Sequence, residues 1–317
     1  MRALICGIRG QDGSFLAKFL INKGYEVIGT SRDVIASSFE NLKKLNIDNK
    51  VTKVSMAVTD FRSVIDVVKK YKPDEIYNLA GQTSVGLSFQ QPAEAIESIV
   101  KATLVLLEVI RFLDLPIKFY NAGSGECYGD TKGIPANEKT LFKPSSPYGV
   151  AKASAFWLVK NYRVSYGIPA CTGILFNHES HLRPERFVSQ KIIRSAWKIK
   201  KGQLDKLKIG NTSIYRDWGW APEYIKAMWL MLKQEKYDDY VIATGNSHSL
   251  QEFIDKAFRY FDLDYKEFIE IDENYLRPSD NSYSNADPSN AKAQINWSAE
   301  IGFDELINKL CSHCENP

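Results

Sequence analysis

The chain has no dense run of basic residues. Its 317 residues include 41 Lys and Arg against 38 Asp and Glu, and the basic side chains are scattered beyond short clusters at Lys43-Lys44 and Lys198–Lys201. Such a surface offers no stripe to nucleic-acid phosphates or to an anionic membrane, so neither partner is expected. Long apolar runs are missing too. The N-terminal stretch MRALICGIRGQDGSFLAKFL keeps about five apolar residues together before glycines and charges interrupt it, too few for a signal sequence or a membrane span. A cytoplasmic protein is expected. Paired cysteines are also absent: the five thiols at 6, 127, 171, 311 and 314 are odd in number and irregular in spacing. That pattern suits reduced side chains better than a disulfide framework. Cys311-Ser-His-Cys314 has the spacing of half a zinc site, but no second ligand pair completes it, so no metal is expected. Repeats and low-complexity tracts are lacking as well.

What the chain does have is length and alternation. At 317 residues it can bury a large core as one large domain or two intimate ones. Short β-like runs alternate with helical patterns: RALICGI, GSFLAKFLINKG, YEVIGTS, DEIYNLAG, IESIVKATLVLLEVIRFL and PIKFYNAG. That order predicts an α/β protein with a Rossmann-type doubly wound parallel sheet. Near residue 177 the regularity weakens and the Pro- and Arg-rich HESHLRPERF begins. Residues 1–176 are therefore read as a cofactor-binding Rossmann domain and 177–317 as a smaller substrate-binding α/β domain. The stretch 214–246, helical and then strand-like, is expected to rejoin the first.

Gly7, Gly10 and Gly13 form G-x-x-G-x-x-G directly after the first strand and open a helix. Such a turn lets the backbone approach a pyrophosphate, and the helix N-terminus meets it with unpaired N–H groups and a positive dipole. An ordinary glycine-rich strand-to-helix turn has the same spelling, and the rest of the chain must decide. The second strand, YEVIGTS, ends without the Asp or Glu that would bond a ribose 2′-hydroxyl, and Arg32 follows at once. A cation there fits a 2′-phosphate, so NADP is preferred to NAD. Asp33 would oppose that phosphate if it pointed inward.

Ser145-Ser146-Pro147-Tyr148-Gly149-Val150-Ala151-Lys152 starts a helix and sets Tyr148 and Lys152 on one face. A lysine cation beside a phenol favours the phenolate and is expected to pull the tyrosine pKa down, making Tyr148 a base for a hydroxyl proton. Tyr–Lys pairs at this spacing are common on solvated faces. The glycine turn upstream and a Ser in a small-residue run give this pair its meaning. Within FYNAGSGECYGD, Glu126 is a carboxylate among small residues just past an apolar run. It needs either a structural partner or a chemical task.

The glycine turn, NLAG at 78–81, Ser124 and the Tyr148/Lys152 pair together resemble the extended short-chain dehydrogenase/reductase family of nucleotide-sugar-modifying enzymes. More specific are PDEIYNLAGQTSVGLSFQQP, SPYGVAKASAFWLVKNYRVSYG, GILFNHES and RDWG, which are similar to the GDP-mannose 4,6-dehydratase family over nearly the whole chain. The resemblance implies a lyase with NADP as cofactor, a GDP-sugar as substrate, and a homodimer or homotetramer. It implies a cycle in which C4 of the hexose is oxidised, water leaves across C5–C6 and hydride returns to C6. Ser124 would bond the C4 oxygen, Tyr148 take the C4 hydroxyl proton and Lys152 support it, while Glu126 would move the C5 proton and protonate the C6 oxygen. Asn177, Lys191, Arg216 and Arg277 stand where the family holds the nucleotide, and guanidinium forks and an ammonium suit a diphosphate. Trp218 and Trp220 are read as core.

Departures gather around cofactor and sugar. Gly123 and Gly125 stand where the family carries Ser or Thr, Ala57 replaces an Asp near the adenine, and Arg9 replaces a Thr of the glycine turn. Gln190 replaces an Arg, Asp280 a Glu, and the paired arginines after the second strand are reduced to Arg32. Two missing hydroxyls leave the departing C6 oxygen less assisted or make room for a bulkier C6 substituent. The same dehydration of a GDP-heptose is therefore the nearest alternative to GDP-mannose. A C4 epimerase or reductase would use Ser124, Tyr148 and Lys152 and leave Glu126 idle, and a non-catalytic NADP-binding protein would leave the whole set idle.

Overall fold

The computed structural model describes residues 1–315. Strands run along the chain as β1 (Arg2–Cys6), β2 (Glu26–Ser31), β3 (Val51–Ser55), β4 (Glu75–Asn78), β5 (Lys118–Ala122), β6 (Ala170–Leu175) and β7 (Asn177–Glu179). There follow β8 (Leu207–Ile209), β9 (Tyr215–Trp220), β10 (Tyr240–Ile242), β11 (Ser247–Ser249), β12 (Ile269–Ile271) and β13 (Tyr283–Ser284). The main sheet has the order β10-β6-β5-β4-β1-β2-β3, and every neighbouring pair in it is parallel. This is the doubly wound α/β architecture that the alternation predicts.

Strands covered on both faces must be apolar nearly throughout. Ala3–Cys6, all of β4 and all of β6 are buried accordingly. Side chains that alternate along β1 enter two different cores. Ala3 and Ile5 pack with Leu16, Leu20, Tyr224 and Met228 from the helices Gln11–Asn22 and Ala221–Met231. Leu4 and Cys6 pack with Val64, Leu106 and Val159 from the helices Phe61–Tyr71, Ala102–Leu113 and Pro147–Tyr166. The charged exception, Glu75 in β4, is fully buried, and it is met by Lys233 and by the Tyr77 hydroxyl at 2.8 Å.

A second core forms between the helices Val188–Lys200, Leu250–Tyr260 and Phe303–Glu315, with β8 against them. β9 lies between β11 and β13 and also pairs with β7. Trp218, 2% exposed, stacks on Phe303 in this core. The β10 strand returns to the edge of the main sheet beside β6. No helix among the described residues is long and apolar enough to cross a membrane. In the main sheet the connections reverse direction between β1 and β4, and the carboxyl ends of strands at such a switch point leave a crevice for a ligand.

Candidate active site

The crevice begins at the glycine turn. Gly7 has φ of 87°, and a Cβ there would lie 2.7 Å from the Leu79 carbonyl oxygen. At Gly13 a Cβ would lie 2.4 Å from the Gly7 oxygen. Glycine at 7 therefore lets the turn close against NLAG, and glycine at 13 lets the helix start pack on the turn itself. Gly10 is the N-cap of the Gln11–Asn22 helix and gives it no side-chain cap, so the N–H groups of its first turn have no side-chain acceptor at that end. Arg32 lies exposed on the loop after β2 and makes no hydrogen bond or ion pair among the described residues. Asp33 turns back on its own loop, where its Oδ1 accepts from the Ile35 N–H at 2.8 Å and the Ala36 N–H at 3.2 Å. Arg9 reaches the same loop, donating from Nε to the Ser38 oxygen at 2.9 Å and from Nη1 to Ser37 Oγ at 3.0 Å.

Beyond Ala122, the end of β5, a 3₁₀ turn Gly125–Cys127 starts on Ser124, whose Oγ accepts from the Glu126 N–H at 3.2 Å. The helix carrying Tyr148 and Lys152 starts on Ser146, whose Oγ accepts from the Gly149 N–H at 3.0 Å, with Pro147 in its first turn. It stops at Gly167, which has φ of 68°. Both Tyr148 and Lys152 are buried. Burial brings the Lys152 pKa down to about 8, and its Nζ donates to the Ala122 carbonyl at 2.6 Å. Burial also pushes the Tyr148 phenol well above its usual range, opposed by a hydrogen bond with the Ser124 side chain.

The expected lowering of the tyrosine by its lysine is not met in this arrangement. The Lys152 ammonium lies 5.8 Å from the centre of the Tyr148 ring and gives its hydrogen bond to a backbone carbonyl. Desolvation, which disfavours phenolate, is the larger effect.

Glu126 is half-buried. Burial raises its pKa above the usual carboxylate range, Arg216 and Arg277 oppose that rise, and Asp280 adds to it. Arg216, 4% exposed, comes from β9 and donates from Nη1 to the carbonyls of Tyr215 and Asn281, both at 2.8 Å. Its Nη2 meets Asp280 Oδ1 at 2.8 Å, and Arg277 Nη1 reaches the same oxygen at 3.4 Å. Lys191 Nζ has no hydrogen-bond partner among the described residues and sits 3.2 Å from the centre of the Tyr275 ring.

One cavity of about 680 Å³ joins these groups, within the size range of small-molecule sites. Ser124, Glu126, Tyr148 and Lys152 line it together with Asn177, Lys191, Arg216 and Arg277. Gly7, Gly10, Gly13 and Arg32 do not line it, although their neighbours Asp12 and Leu79 do. Two arginines that sequence reasoning passed over, Arg183 and Arg186, line it as well. Their signal was the arginine density of HESHLRPERF, read only as a change of domain. Asp12 and His178 went unnoticed too: His178 Nε2 meets Asp12 Oδ2 at 2.9 Å, tying the glycine-turn helix to the GILFNHES segment. Burial, the largest influence on Asp12, acts upward, yet His178 and Gln11 together bring its pKa to about 2.

The two glycines beside Ser124 differ from each other. A Cβ on Gly123 would lie 2.7 Å from Thr172 Cγ2 and 2.9 Å from the Gly173 oxygen, so this position is closed by packing against β6. On Gly125 a Cβ would lie 3.1 Å from the Phe176 ring. Both line the cavity, and only at Gly125 would a side chain need no more than a small shift of a neighbouring ring. Among the described residues no three His, Cys, Asp or Glu side chains are placed to hold a metal ion, and Cys311 and Cys314 are free thiols.

The arrangement can handle two protons separately. Tyr148 with Ser124 forms one set; Glu126, balanced between burial and two guanidinium groups, forms the other. Comparison with known proteins fits this geometry. Residues 4–310 match the family described as GDP-mannose 4,6 dehydratase. GDP-mannose 4,6 dehydratase 2 of Arabidopsis thaliana is 43% identical over 97% of this chain and 85% of its own length. The GDP-mannose 4,6 dehydratase of Homo sapiens is 39% identical over 97% and 90%. Among solved structures, dTDP-glucose 4,6-dehydratase from Bacillus anthracis with NAD superposes with a TM-score of 0.86 at 20% identity, covering 100% of this chain and 97% of that one. RMD from Pseudomonas aeruginosa, complexed with NADPH, gives 0.82 at 20% identity, with 99% of each chain covered. The chain belongs to the GDP-mannose 4,6-dehydratase family, a family of lyases on the short-chain dehydrogenase/reductase fold.

Proposed function

We propose that the protein is a cytoplasmic, NADP-dependent GDP-mannose 4,6-dehydratase that forms GDP-4-keto-6-deoxy-mannose. The observation that carries this reading is the second proton-handling group: Glu126 lines the same cavity as Tyr148 and Ser124. An epimerase or a reductase works at C4 and gives Glu126 nothing to do.

Tyr148, in the phenolate form that its hydrogen bond with Ser124 favours and burial opposes, takes the C4 hydroxyl proton, and Ser124 bonds that oxygen. When bound, the nicotinamide cofactor would supply the acceptor for the C4 hydride and its return to C6, and C5, left as an enolate carbon by that return, takes a proton from solvent. A ketone at C4 makes the C5 proton acidic, so Glu126 removes it and then protonates the departing C6 oxygen. Burial favours the protonated carboxyl needed for the second half, and Arg216 and Arg277 favour the ionised form needed for the first. Lys152, anchored on the Ala122 carbonyl, holds the cofactor. Arg216 and Arg277 neutralise the diphosphate with Lys191 as a point charge, and Asn177 supplies an amide to the nucleotide.

The cofactor-binding residues fit NADP. Glycine at 7 and 13 lets the backbone close up, the uncapped helix end at Gly10 faces a pyrophosphate, and Arg32 has no competing partner among the described residues. Related structures hold NAD or NADPH, which supports a nicotinamide cofactor of either kind; the choice of NADP rests on Arg32. In this reading residues 1–176 hold the cofactor, with the helix Ala221–Met231 and β10 from the stretch 214–246 rejoining them, and the rest of the second part, β9 included, holds the sugar nucleotide. A homodimer or homotetramer is supported by adjoining helices that expose Phe112 (65%), Trp157 (55%) and Val164 (76%).

A second reading, the same dehydration of a GDP-heptose, is supported by Gly125, which lines the cavity without a side chain. Incubation with NADP and either GDP-mannose or GDP-heptose, followed by mass spectrometry, tests both readings. Loss of one water with no net change in NADPH is expected; stoichiometric accumulation of NADPH, or a product of unchanged mass, would remove the dehydratase reading.

A further inference from the structure

Regular secondary structure is not the only support for Glu126. Asn281 lies 155 positions away in sequence on the loop before β13, is 4% exposed, and donates from Nδ2 to Glu126 Oε2 at 3.3 Å. An ionised carboxylate can only accept, so the amide must offer it the NH₂ end. The other end is fixed independently: Ser145 Oγ donates to Asn281 Oδ1 at 2.7 Å. The backbone is pinned as well, because the Asn281 carbonyl accepts from Arg216 Nη1 at 2.8 Å. One buried amide thus connects Glu126, the start of the Tyr148 helix and a cavity-lining arginine. Glu126 Oε1 has no hydrogen bond among the described residues and is left for a ligand.

We propose that Asn281 is a positioning residue for proton transfer by Glu126, holding Oε2 so that Oε1 meets the C5 proton and stabilising the ionised carboxylate. This rests on the reading of Glu126 as the C5 base. Other groups face the same carboxylate: Arg216 from β9, Arg277 and Asp280 from the loop of Asn281, Tyr148 from its helix and Cys127 from the same 3₁₀ turn. The two arginines act in the same direction as the amide; burial and Asp280 act against it. Both arginines are shared with Asp280 and, in the proposed function, with the substrate diphosphate. The amide carries no charge for a phosphate to attract, so its bond persists when the nucleotide binds.

A hydrogen bond donated to a carboxylate lowers its pKa, so removing the donor raises it and demands a higher pH for the base. The test follows solvent deuterium exchange at C5 against pH, with NADP and GDP-mannose, or with GDP-heptose if that alone is dehydrated. C4 oxidation and GDP affinity are measured beside it. Asn281→Leu should move the acidic limb of exchange upward by about one pH unit. Ser145→Ala, which frees the amide to turn, should move it the same way by less, and Asn281→Asp, which adds a like charge, by more. GDP affinity and single-turnover C4 oxidation should stay within about twofold, a range below the cost of one lost hydrogen bond. An acidic limb unmoved in Ser145→Ala and in whichever Asn281 variant folds would overturn the proposal, as would an equal loss of exchange at every pH. Glu126→Gln separates the two ideas. Normal C5 exchange in that variant removes the underlying reading of Glu126, whereas blocked exchange there with an unmoved limb at 281 removes only the role of Asn281.

Discussion

Tyr148, Lys152 and Ser124 reach the cavity from one capped helix and one strand end, whereas Arg216, Arg277, Lys191 and Asp280 come from β9, the loop before β13 and a helix of the second core. In the first region each polar group is fixed by a neighbour close in sequence or by the main sheet: Ser124 to Glu126, Ser146 to Gly149, Lys152 to Ala122. In the second, Arg216 and Arg277 share Asp280, and Lys191 has no hydrogen-bond partner among the described residues. Rigid backbone suits proton transfer, which tolerates little displacement. Exchangeable ion pairs suit a diphosphate, which must be able to replace the carboxylate as their partner.

If this contrast holds, changes in the first region alter chemistry and leave binding intact. Tyr148→Phe removes the acceptor of the C4 proton and should lower turnover roughly 10²- to 10⁴-fold, with GDP and NADP still binding in a titration. Loss of both binding and turnover would show that the two regions are not separable.

Lys152 gives a test by pH. Its pKa is depressed by burial from the usual lysine value to about 8, so the folded state binds its proton more weakly than the unfolded state. The penalty is fully present below pH 8 and is relieved as pH rises from there toward the unfolded value near 10.5. Denaturant titrations of the cofactor-free protein should show stability rising with pH across that window relative to Lys152→Met, by on the order of 3 kcal/mol. A flat difference between the two proteins would place the Lys152 charge in a solvated site.

Arg32 should behave as a binding group alone. Arg32→Ala is expected to weaken NADP by about 1.5–3 kcal/mol and to leave NAD nearly unchanged, measured by fluorescence titration of both cofactors. Equal losses would take the 2′-phosphate away from it. The smallest effect concerns the support of Tyr148: Ser146→Ala should cost about 1 kcal/mol of stability through the lost cap, read from the denaturation midpoint.

The regions also differ in how much of them the sequence discloses. Strand and helix alternation, the glycine turn and the Tyr148/Lys152 spacing are local patterns, and local patterns are written in consecutive residues. Gly123 looked like a lost hydroxyl beside the sugar; the contact that closes it, Thr172 on the neighbouring strand, is visible only once β5 and β6 are paired. The lysine was expected beside the phenol because helical spacing puts them on one face. Spacing does not reveal that the end of β5 brings the Ala122 carbonyl within reach of Nζ, or that burial outweighs charge at Tyr148. Asn281 and Glu126, and likewise Asp12 and His178, meet across 155 and 166 positions. No short-range pattern encodes such pairs.

The central claim is that Glu126 moves the C5 proton. In Glu126→Gln, with NADP and the accepted GDP-sugar in deuterium oxide, C4 oxidation should proceed to a bound keto-sugar with NADPH formed, while deuterium entry at C5 falls roughly 10²- to 10⁴-fold. Deuterium entry and dehydration at the rate of the unaltered enzyme would contradict it.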